Sequence, residues 1–158
     1  MADALASRWD LPRAKDKYRG RFAVGRAGPG GPRVAILIPQ TYMNDSGKAV
    51  GPARGALQLP LERVLVIHDE IDLPFGRVES RVGGGLAGHN GLKSLREGLG
   101  SPDFRRVRVG VGRPDSTDPD IVAGYVLSKF PEPADEVRDL IDRAASEAER
   151  VVVDTTLE

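Results

Sequence analysis

Three polar residues follow an apolar run near the middle of this 158-residue sequence. The run Val64-Leu65-Val66-Ile67 is typical of a buried strand, and His68, Asp69 and Glu70 come directly after it. Open α/β sheets bind ligands at the carboxyl ends of their strands. A carboxylate at that point can hold an imidazole in one tautomer and stabilise its charged form, as in hydrolytic triads. Asp69 is therefore a candidate catalytic residue, although a strand-end acid also commonly caps a turn or pairs with an arginine.

The sequence contains two histidines, and each is a candidate general base for hydrolysis. His68 directly precedes Asp69 on the predicted strand, so the two side chains point to opposite faces and Asp69 cannot hold that imidazole. His89 stands beside Asn90 after a glycine run, where we predict a structural role with a hydrogen bond to backbone. Neither histidine is predicted to be the base.

The glycine run from Gly83 to Gly88 formally satisfies the G-x-G-x-x-G pattern of dinucleotide sites. That interpretation needs an acid at the end of the next strand, whereas Asp103 precedes its strand. A P-loop needs a glycine directly before its Lys-Ser pair, and Lys93 and Ser94 do not follow a glycine. We predict instead that Gly83 to Gly88 form the mobile rim of a cleft. Asn90 then lies near a helix N-terminus, where exposed amides favour anionic or carbonyl oxygens.

A metal site is the other alternative for the residues after the strand. Zinc catalysis usually needs three protein ligands with distinct geometry, whereas only alternate residues of a strand share a face. His68, Asp69, Glu70 and Asp72 do not meet that requirement, so the sequence predicts no metal. No cofactor is predicted either.

Composition is that of one ordinary globular domain, with 40% apolar and 29% charged residues and no cysteine. No apolar run approaches the ~20 residues that span a bilayer, so a cytoplasmic protein is expected. Net charge is zero, but the segment from Glu132 onward carries −6 and the preceding residues +6. Local basic faces on a neutral chain can still bind phosphates.

Strands and helices alternate along the chain, which favours an α/β sandwich with a mixed sheet. Apolar periodicity and turn residues predict the following elements: helices over Ala2 to Trp9, Ser46 (as cap) to Leu57, Gly91 to Leu99, Asp118 to Leu127 and Ala134 to Val153, and strands over Arg21 to Gly25, Arg33 to Ile38, Val64 to His68, Arg77 to Val82 and Phe104 to Val111.

Three segments together resemble the bacterial-type peptidyl-tRNA hydrolases, which cleave the ester joining a peptide to the 3′ end of tRNA. They are Tyr42-Met43-Asn44-Asp45-Ser46-Gly47, the stretch from Arg63 to Ser94, and Phe104-Arg105-Arg106-Val107-Arg108-Val109-Gly110. The likeness extends from the first residues to about Val153. It implies one domain over residues 1–158, folded as a three-layer sandwich with a mixed, mostly parallel central sheet flanked by helices.

The resemblance also implies roles for individual residues. Asp69 matches the aspartate that orients the family's catalytic histidine. Tyr42 and Asn44 match substrate-contacting residues, and Asn90 matches the amide that binds peptidyl-tRNA and supports the oxyanion. Arg81 and Arg108 match the phosphate clamp, the two basic residues that hold the 5′-terminal phosphate of the acceptor stem. The implied partner is peptidyl-tRNA, bound through its acceptor stem and peptide, without a membrane; we expect a monomer.

One departure from the family's pattern bears on activity. Members begin with a short strand inside the sheet, a Gly-Asn-Pro-Gly turn and a Thr-Arg-His-Asn segment that carries the catalytic histidine, and this sequence starts after them. We therefore expect the chain as written to hydrolyse peptidyl-tRNA poorly or not at all. It is a hydrolase whose sequence starts too late, a noncatalytic paralogue that binds RNA or a protein through the same cleft, or an unrelated α/β binding module. Asp69 makes sense only beside a histidine, which favours the first.

Overall fold

A computed structural model describes residues 2–41, 45–85, 89–112 and 133–157 of the chain. Its α-helices are α1 (Ala2–Arg8), α2 (Ser46–Leu57), α3 (Asn90–Leu99) and α4 (Ala134–Leu157), with a short 3-10 turn at Leu61–Arg63. Its strands are β1 (Lys15–Lys17), β2 (Gly20–Arg26), β3 (Arg33–Pro39), β4 (Leu65–Glu70), β5 (Val78–Val82) and β6 (Arg105–Gly110).

The described strands form two three-stranded sheets, in the orders β1-β2-β3 and β4-β6-β5. Strand β4 runs parallel to β6, whereas β5 runs antiparallel to β6. The predicted α/β class and the mixed character of the sheet are confirmed. The mostly parallel pattern is wrong for the described strands, because three of their four pairings are antiparallel. Short connections explain part of the antiparallel pairing, because a two-residue turn can join only antiparallel strands. Between β1 and β2 this turn is formed by Tyr18 and Arg19, which both adopt positive φ.

Helices pack on both faces of the strands and give the predicted three layers. On one face, α1 and α4 bury Leu5, Trp9, Leu140 and several alanines against Val107 and Val109, with Leu65 and Ile67 at the margin. On the other face, α3 buries Leu92, Leu95 and Leu99 against Phe104, with Val64 and Val66 at the margin. The alternation of Leu65 and Ile67 with Val64 and Val66 is what a strand between two apolar layers requires.

The position of α3 is fixed by close packing against α2. The Ser94 hydroxyl accepts a hydrogen bond from the Gly47 amide at 2.8 Å. A side chain at Gly98 would collide with the Gly47 carbonyl oxygen, so the approach depends on glycine. This contact fixes α3 against α2.

Most predicted elements agree with the structure to within a few residues. Strand β1 was not predicted, and β4 continues beyond His68 to Glu70. Ser46 is the first residue of α2 rather than its cap; Asp45 takes the cap position without a side-chain hydrogen bond. The predicted helix over Asp118 to Leu127 lies outside the described residues. Among the helices that the structure describes, none is both long enough and apolar enough to cross a membrane.

Candidate functional site

The end of β4 meets the start of α3 through a hydrogen bond between two side chains. His89 Nε2 lies 3.1 Å from Asp69 Oδ1, and both side chains are mostly shielded from solvent. His89 is also the N-cap residue of α3, where its Nδ1 accepts the backbone N–H of Leu92 at 3.2 Å. Asp69 and the first turn of α3 are thereby joined through one imidazole.

These two bonds define the tautomer of His89. Because Nδ1 accepts from Leu92, the ring proton must lie on Nε2, which donates to Asp69. Both nitrogens are then occupied, and neither can take a proton from water without breaking a bond. The predicted backbone bond of His89 is confirmed. Its bond to Asp69 was missed, because two residues 20 positions apart carry no local signal of their contact.

Asp69 is held in its ionised form. The hydrogen bond from His89 lowers the pKa of the Asp69 carboxyl below its ordinary value of 3.8, and this outweighs the opposing effect of burial. A carboxylate with so low a pKa has little affinity for a proton at neutral pH. Asp69 is consequently suited to orient and stabilise an imidazole, and poorly suited to act as the base itself.

His68 occupies the same cleft but makes a different set of bonds. Its Nδ1 lies 2.8 Å from the carbonyl oxygen of Asp69, to which it must donate, so Nε2 is unprotonated. That Nε2 atom is buried and has no hydrogen-bond partner. Burial lowers the pKa of His68 below 6.5, so the ring is neutral at neutral pH. As predicted, Asp69 does not hold this imidazole through its carboxylate.

The two imidazoles and Asp69 line one cavity of about 500 Å³. The rings of His68 and His89 meet edge to face, with centroids 5.3 Å apart. Apolar side chains of β3, β4, α2 and α3 form most of the remaining wall, including Ala35, Leu37, Val50, Ala53, Leu65, Val66, Ile67, Leu92 and Leu95. The polar end of the cavity coincides with the carboxyl end of β4, where the sequence predicted the site.

The two residues of the predicted phosphate clamp lie on one face of the β5–β6 pair, but their surroundings differ. Arg108 is largely buried and contacts two carboxylates, Glu79 at 3.2 Å and Glu70 at 3.5 Å. Arg81 is exposed, and its guanidinium packs against Gly84, whose φ of +103° already favours glycine. In this arrangement Arg81 presents its charge to solvent, whereas the charge of Arg108 is balanced by acids.

A third arginine on this face has a role that the sequence analysis missed. Arg106 is 2% exposed and donates to the carbonyl oxygens of Gly85 at 2.9 Å and Pro102 at 2.7 Å. Its guanidinium also lies 4.5 Å from the centroid of the Phe104 ring. Burial, reinforced by the neighbouring arginines, lowers the pKa of Arg106 below the ordinary value of an arginine. Arg106 therefore links the described part of the glycine rim to β6. The sequence signal that could have indicated this role is the two-residue spacing of Arg106 and Arg108, which places both side chains on one face of the strand.

Several predicted site residues cannot be placed in this geometry. Tyr42, Asn44 and residues 86–88 of the rim lie outside the described residues. Asn90 is the first residue of α3, directly after the histidine that bonds Asp69. The roles assigned to these residues stay predictions. Within the described ranges, no three acidic or imidazole side chains converge as a metal would require.

Comparisons with known proteins agree on one family. The sequence profile named Peptidyl-tRNA hydrolase matches residues 1–158. A peptidyl-tRNA hydrolase from Anaeromyxobacter dehalogenans (strain 2CP-C) is 46% identical over 155 residues, which cover 98% of this chain and 78% of that protein. One from Bacillus pumilus is 44% identical over 130 residues, covering 82% and 67%. The crystal structure of the Acinetobacter baumannii peptidyl-tRNA hydrolase matches with a TM-score of 0.82 at 35% identity, covering 96% and 76%.

Proposed function

The chain belongs to the peptidyl-tRNA hydrolase family, and from this premise we propose that its cleft at the carboxyl end of β4 acts on the ester of peptidyl-tRNA. The observation that carries this location is the hydrogen bond of 3.1 Å between Asp69 and His89, which joins an ionised carboxylate to the N-terminus of α3. The role is recycling of tRNA during translation, in the cytoplasm.

The chemistry is general-base hydrolysis. An imidazole with one free nitrogen takes a proton from water, Asp69 orients that imidazole, and amides stabilise the tetrahedral oxyanion. Asn90 and the backbone at the start of α3 are the proposed amides, because a helix N-terminus favours developing negative charge. His89 is a positioning residue in this scheme, since its two nitrogens are committed to Asp69 and Leu92.

Within the described residues, Asp69 therefore supplies the orienting carboxylate, and no imidazole beside it has a free nitrogen. Removing a central base commonly costs several orders of magnitude in rate. We propose that a polypeptide of residues 1–158 binds substrate and turns it over slowly, and that an imidazole added beside Asp69 completes the site. An N-terminal extension with Gly-Asn-Pro-Gly and Thr-Arg-His-Asn is the proposed source of that imidazole.

Substrate recognition is assigned to residues around the cleft. Tyr42 and Asn44 contact the ester-linked end, and the phosphate clamp of Arg81 and Arg108 holds the acceptor-stem phosphate. Phosphate contacts position a nucleic acid without reading its sequence. Because Glu79 and Glu70 balance Arg108, a bound phosphate must compete with these acids for its guanidinium. The protein is proposed to act as a monomer.

Noncatalytic binding of RNA or a protein through the same cleft is a second candidate function. It is favoured by one observation, that neither described histidine offers a free nitrogen beside the Asp69 carboxylate. Retention of an ionised, imidazole-bound Asp69 favours hydrolysis over this alternative, because pure binding has no need of an orienting carboxylate.

The test is single-turnover hydrolysis of a blocked aminoacyl-tRNA by the extended polypeptide, with binding measured in parallel. We expect Asp69→Asn to lower the rate by roughly 100-fold or more while binding changes little, because the orienting carboxylate is lost. Asp142→Asn, on the exposed face of α4, is the matched control and should leave the rate unchanged. Full activity of the Asp69→Asn variant would show that catalysis does not depend on this carboxylate and would contradict the proposed site. Binding without hydrolysis by the extended polypeptide would favour the noncatalytic alternative.

A further inference from the structure

The two arms of the phosphate clamp differ in whether an acid already occupies them. Glu79 lies directly opposite Arg108 in the antiparallel β5–β6 pair, and its Oε2 is 3.2 Å from Nη1 of Arg108. Among the described residues, no acid forms an ion pair with Arg81, which lies two residues beyond Glu79 on the same face of β5. Carboxylates and phosphates both present anionic oxygens that a guanidinium binds. Glu79 therefore occupies the place on Arg108 that a phosphate oxygen needs.

The two glutamates that contact Arg108 differ in how firmly they are held. Glu70 is 5% exposed and lies 3.5 Å from Nη2 of Arg108, and its other oxygen accepts the backbone N–H of Asp72 at 3.2 Å. The side chain of Glu79 is 35% exposed, and its Oε1 lies 3.1 Å from Nη2 of Arg77. Glu70 is thus a fixed counterion inside the protein, whereas Glu79 has a second cation within reach at the surface.

This geometry allows Glu79 to leave Arg108 without losing every ion pair. Its two carboxylate oxygens already contact different arginines, Arg77 and Arg108. When a phosphate takes Nη1 of Arg108, Glu79 keeps Arg77 as its partner and gains contact with water. Arg108 stays in place during this exchange, because the buried Glu70 still contacts its other nitrogen, Nη2. One anion replaces another, and the strands need no rearrangement.

We propose that Glu79 is a specificity-determining residue for the substrate, an internal anion that a terminal phosphate displaces from Arg108 onto Arg77. This role of Glu79 rests on the proposed function, because the ligand is the acceptor-stem phosphate of tRNA. Breaking the ion pair costs free energy, so the phosphate contributes less to binding than two open arginines would allow. Glu79 thereby makes recognition depend less on whether the end of the RNA is phosphorylated.

The same exchange bears on release of the product. Hydrolysis of the ester leaves the phosphate unchanged, so its contacts bind substrate and product alike. Glu79 competes with the phosphate for Arg108 in both complexes and therefore raises the rate at which the tRNA dissociates. In a reaction that frees tRNA for reuse, this competition shortens the time for which the product occupies the protein.

The test measures binding of two acceptor-stem RNA hairpins, one with a 5′-terminal phosphate and one with a 5′-terminal hydroxyl, by fluorescence anisotropy at one salt concentration. The polypeptide of residues 1–158 is used, and the ratio of the two dissociation constants cancels general changes in charge or stability. Glu79→Gln keeps the shape of the side chain and removes its charge. It should raise the preference for the phosphorylated hairpin by about threefold to tenfold, because one partly exposed ion pair no longer has to be broken. Glu62→Gln removes the same charge from an exposed position before β4 and should leave the ratio unchanged.

Arg77 is tested by a double-mutant cycle. Arg77→Met removes the second partner of Glu79, so displacement becomes more costly and the preference for the phosphorylated hairpin should fall by at least about twofold. In the Glu79→Gln background the same substitution should leave the ratio unchanged, because no carboxylate needs a new partner. An equal effect in both backgrounds would show that Arg77 contacts the phosphate itself and would overturn the displacement.

Two further results separate this role of Glu79 from the clamp on which it rests. The original chain could prefer the phosphorylated hairpin and lose that preference on Arg108→Ala, yet gain nothing on Glu79→Gln. The clamp would then stand, and the displacement of Glu79 would be overturned. If neither the original chain nor the Glu79→Gln variant prefers the phosphorylated hairpin, the clamp itself is absent and both proposals fail.

Discussion

His68 and His89 differ in what each ring nitrogen contacts, and this difference determines what each imidazole can do. His89 Nδ1 and Nε2 are both bonded, so the ring links Asp69 to α3. His68 donates to a backbone carbonyl and keeps a buried, unpaired Nε2. The sequence could predict that Asp69 lies near the end of a strand, because polar residues directly follow the apolar run. It could not predict these bonds, which depend on how α3 packs against β4.

The burial of His68 predicts a pH dependence of stability. Its folded pKa is lowered from 6.5, so the unfolded chain takes up the proton first as the pH falls. The free energy of unfolding therefore decreases as the pH falls below 6.5. The contribution of His68 to this decrease ends once the pH is below its pKa in the folded protein. The limiting slope is ~1.4 kcal/mol per pH unit. His68→Asn, which keeps a side-chain donor but does not titrate, should flatten this slope in urea unfolding measured from neutral to mildly acidic pH. An unchanged slope would show that His68 is not the group responsible.

At the scale of elements, the β5–β6 pair carries three arginines on one face, as the alternation of side chains along a strand requires. Their roles differ because the packing around each arginine differs. Arg81 is exposed, Arg108 is paired with Glu70 and Glu79, and Arg106 is buried beneath the glycine rim. The strands themselves were predictable from apolar periodicity. The antiparallel pairing of β5 with β6 was not, because residue pattern does not reveal which neighbour a strand selects.

Arg106 is predicted to stabilise the fold through its bonds to the rim. Arg106→Met should lower the free energy of unfolding by about 2–4 kcal/mol, because buried carbonyls lose a charged donor. Hydrogen exchange at Gly84 and Gly85 should rise in the same variant. Arg96→Met, at an exposed position of α3, is the control and should change stability little. Similar losses in both variants would argue against a specific role for Arg106.

The phosphate clamp makes a salt-dependent prediction for tRNA binding. Replacing both Arg81 and Arg108 with alanine should reduce the log–log salt slope of binding by ~0.7–0.9 per lost contact. Arg81→Ala alone should account for one contact without loss of stability, because its side chain is exposed. Arg138→Ala, on the exposed face of α4, controls for a general change in charge. An unchanged slope in the double variant would reject the clamp.

At the scale of the whole molecule, two sheets and four described helices enclose a cleft whose chemistry is incomplete within the described residues. The α/β class, the three layers and the family could be predicted from the sequence, because long motifs and periodic apolar runs specify them. The proportion of parallel pairing could not, because it depends on contacts between distant segments, for which a single sequence offers no direct signal.

The most direct measurement compares turnover of a blocked aminoacyl-tRNA at neutral pH by two polypeptides. One has residues 1–158, and the other adds the N-terminal segment with Gly-Asn-Pro-Gly and Thr-Arg-His-Asn. We predict that the extended form is faster by at least about 100-fold, because Asp69 is a poor base and both nitrogens of His89 are occupied. Comparable turnover by residues 1–158, abolished by His89→Ala and by His89→Asn, which retains a helix-capping side chain, would contradict the account and identify His89 as the base.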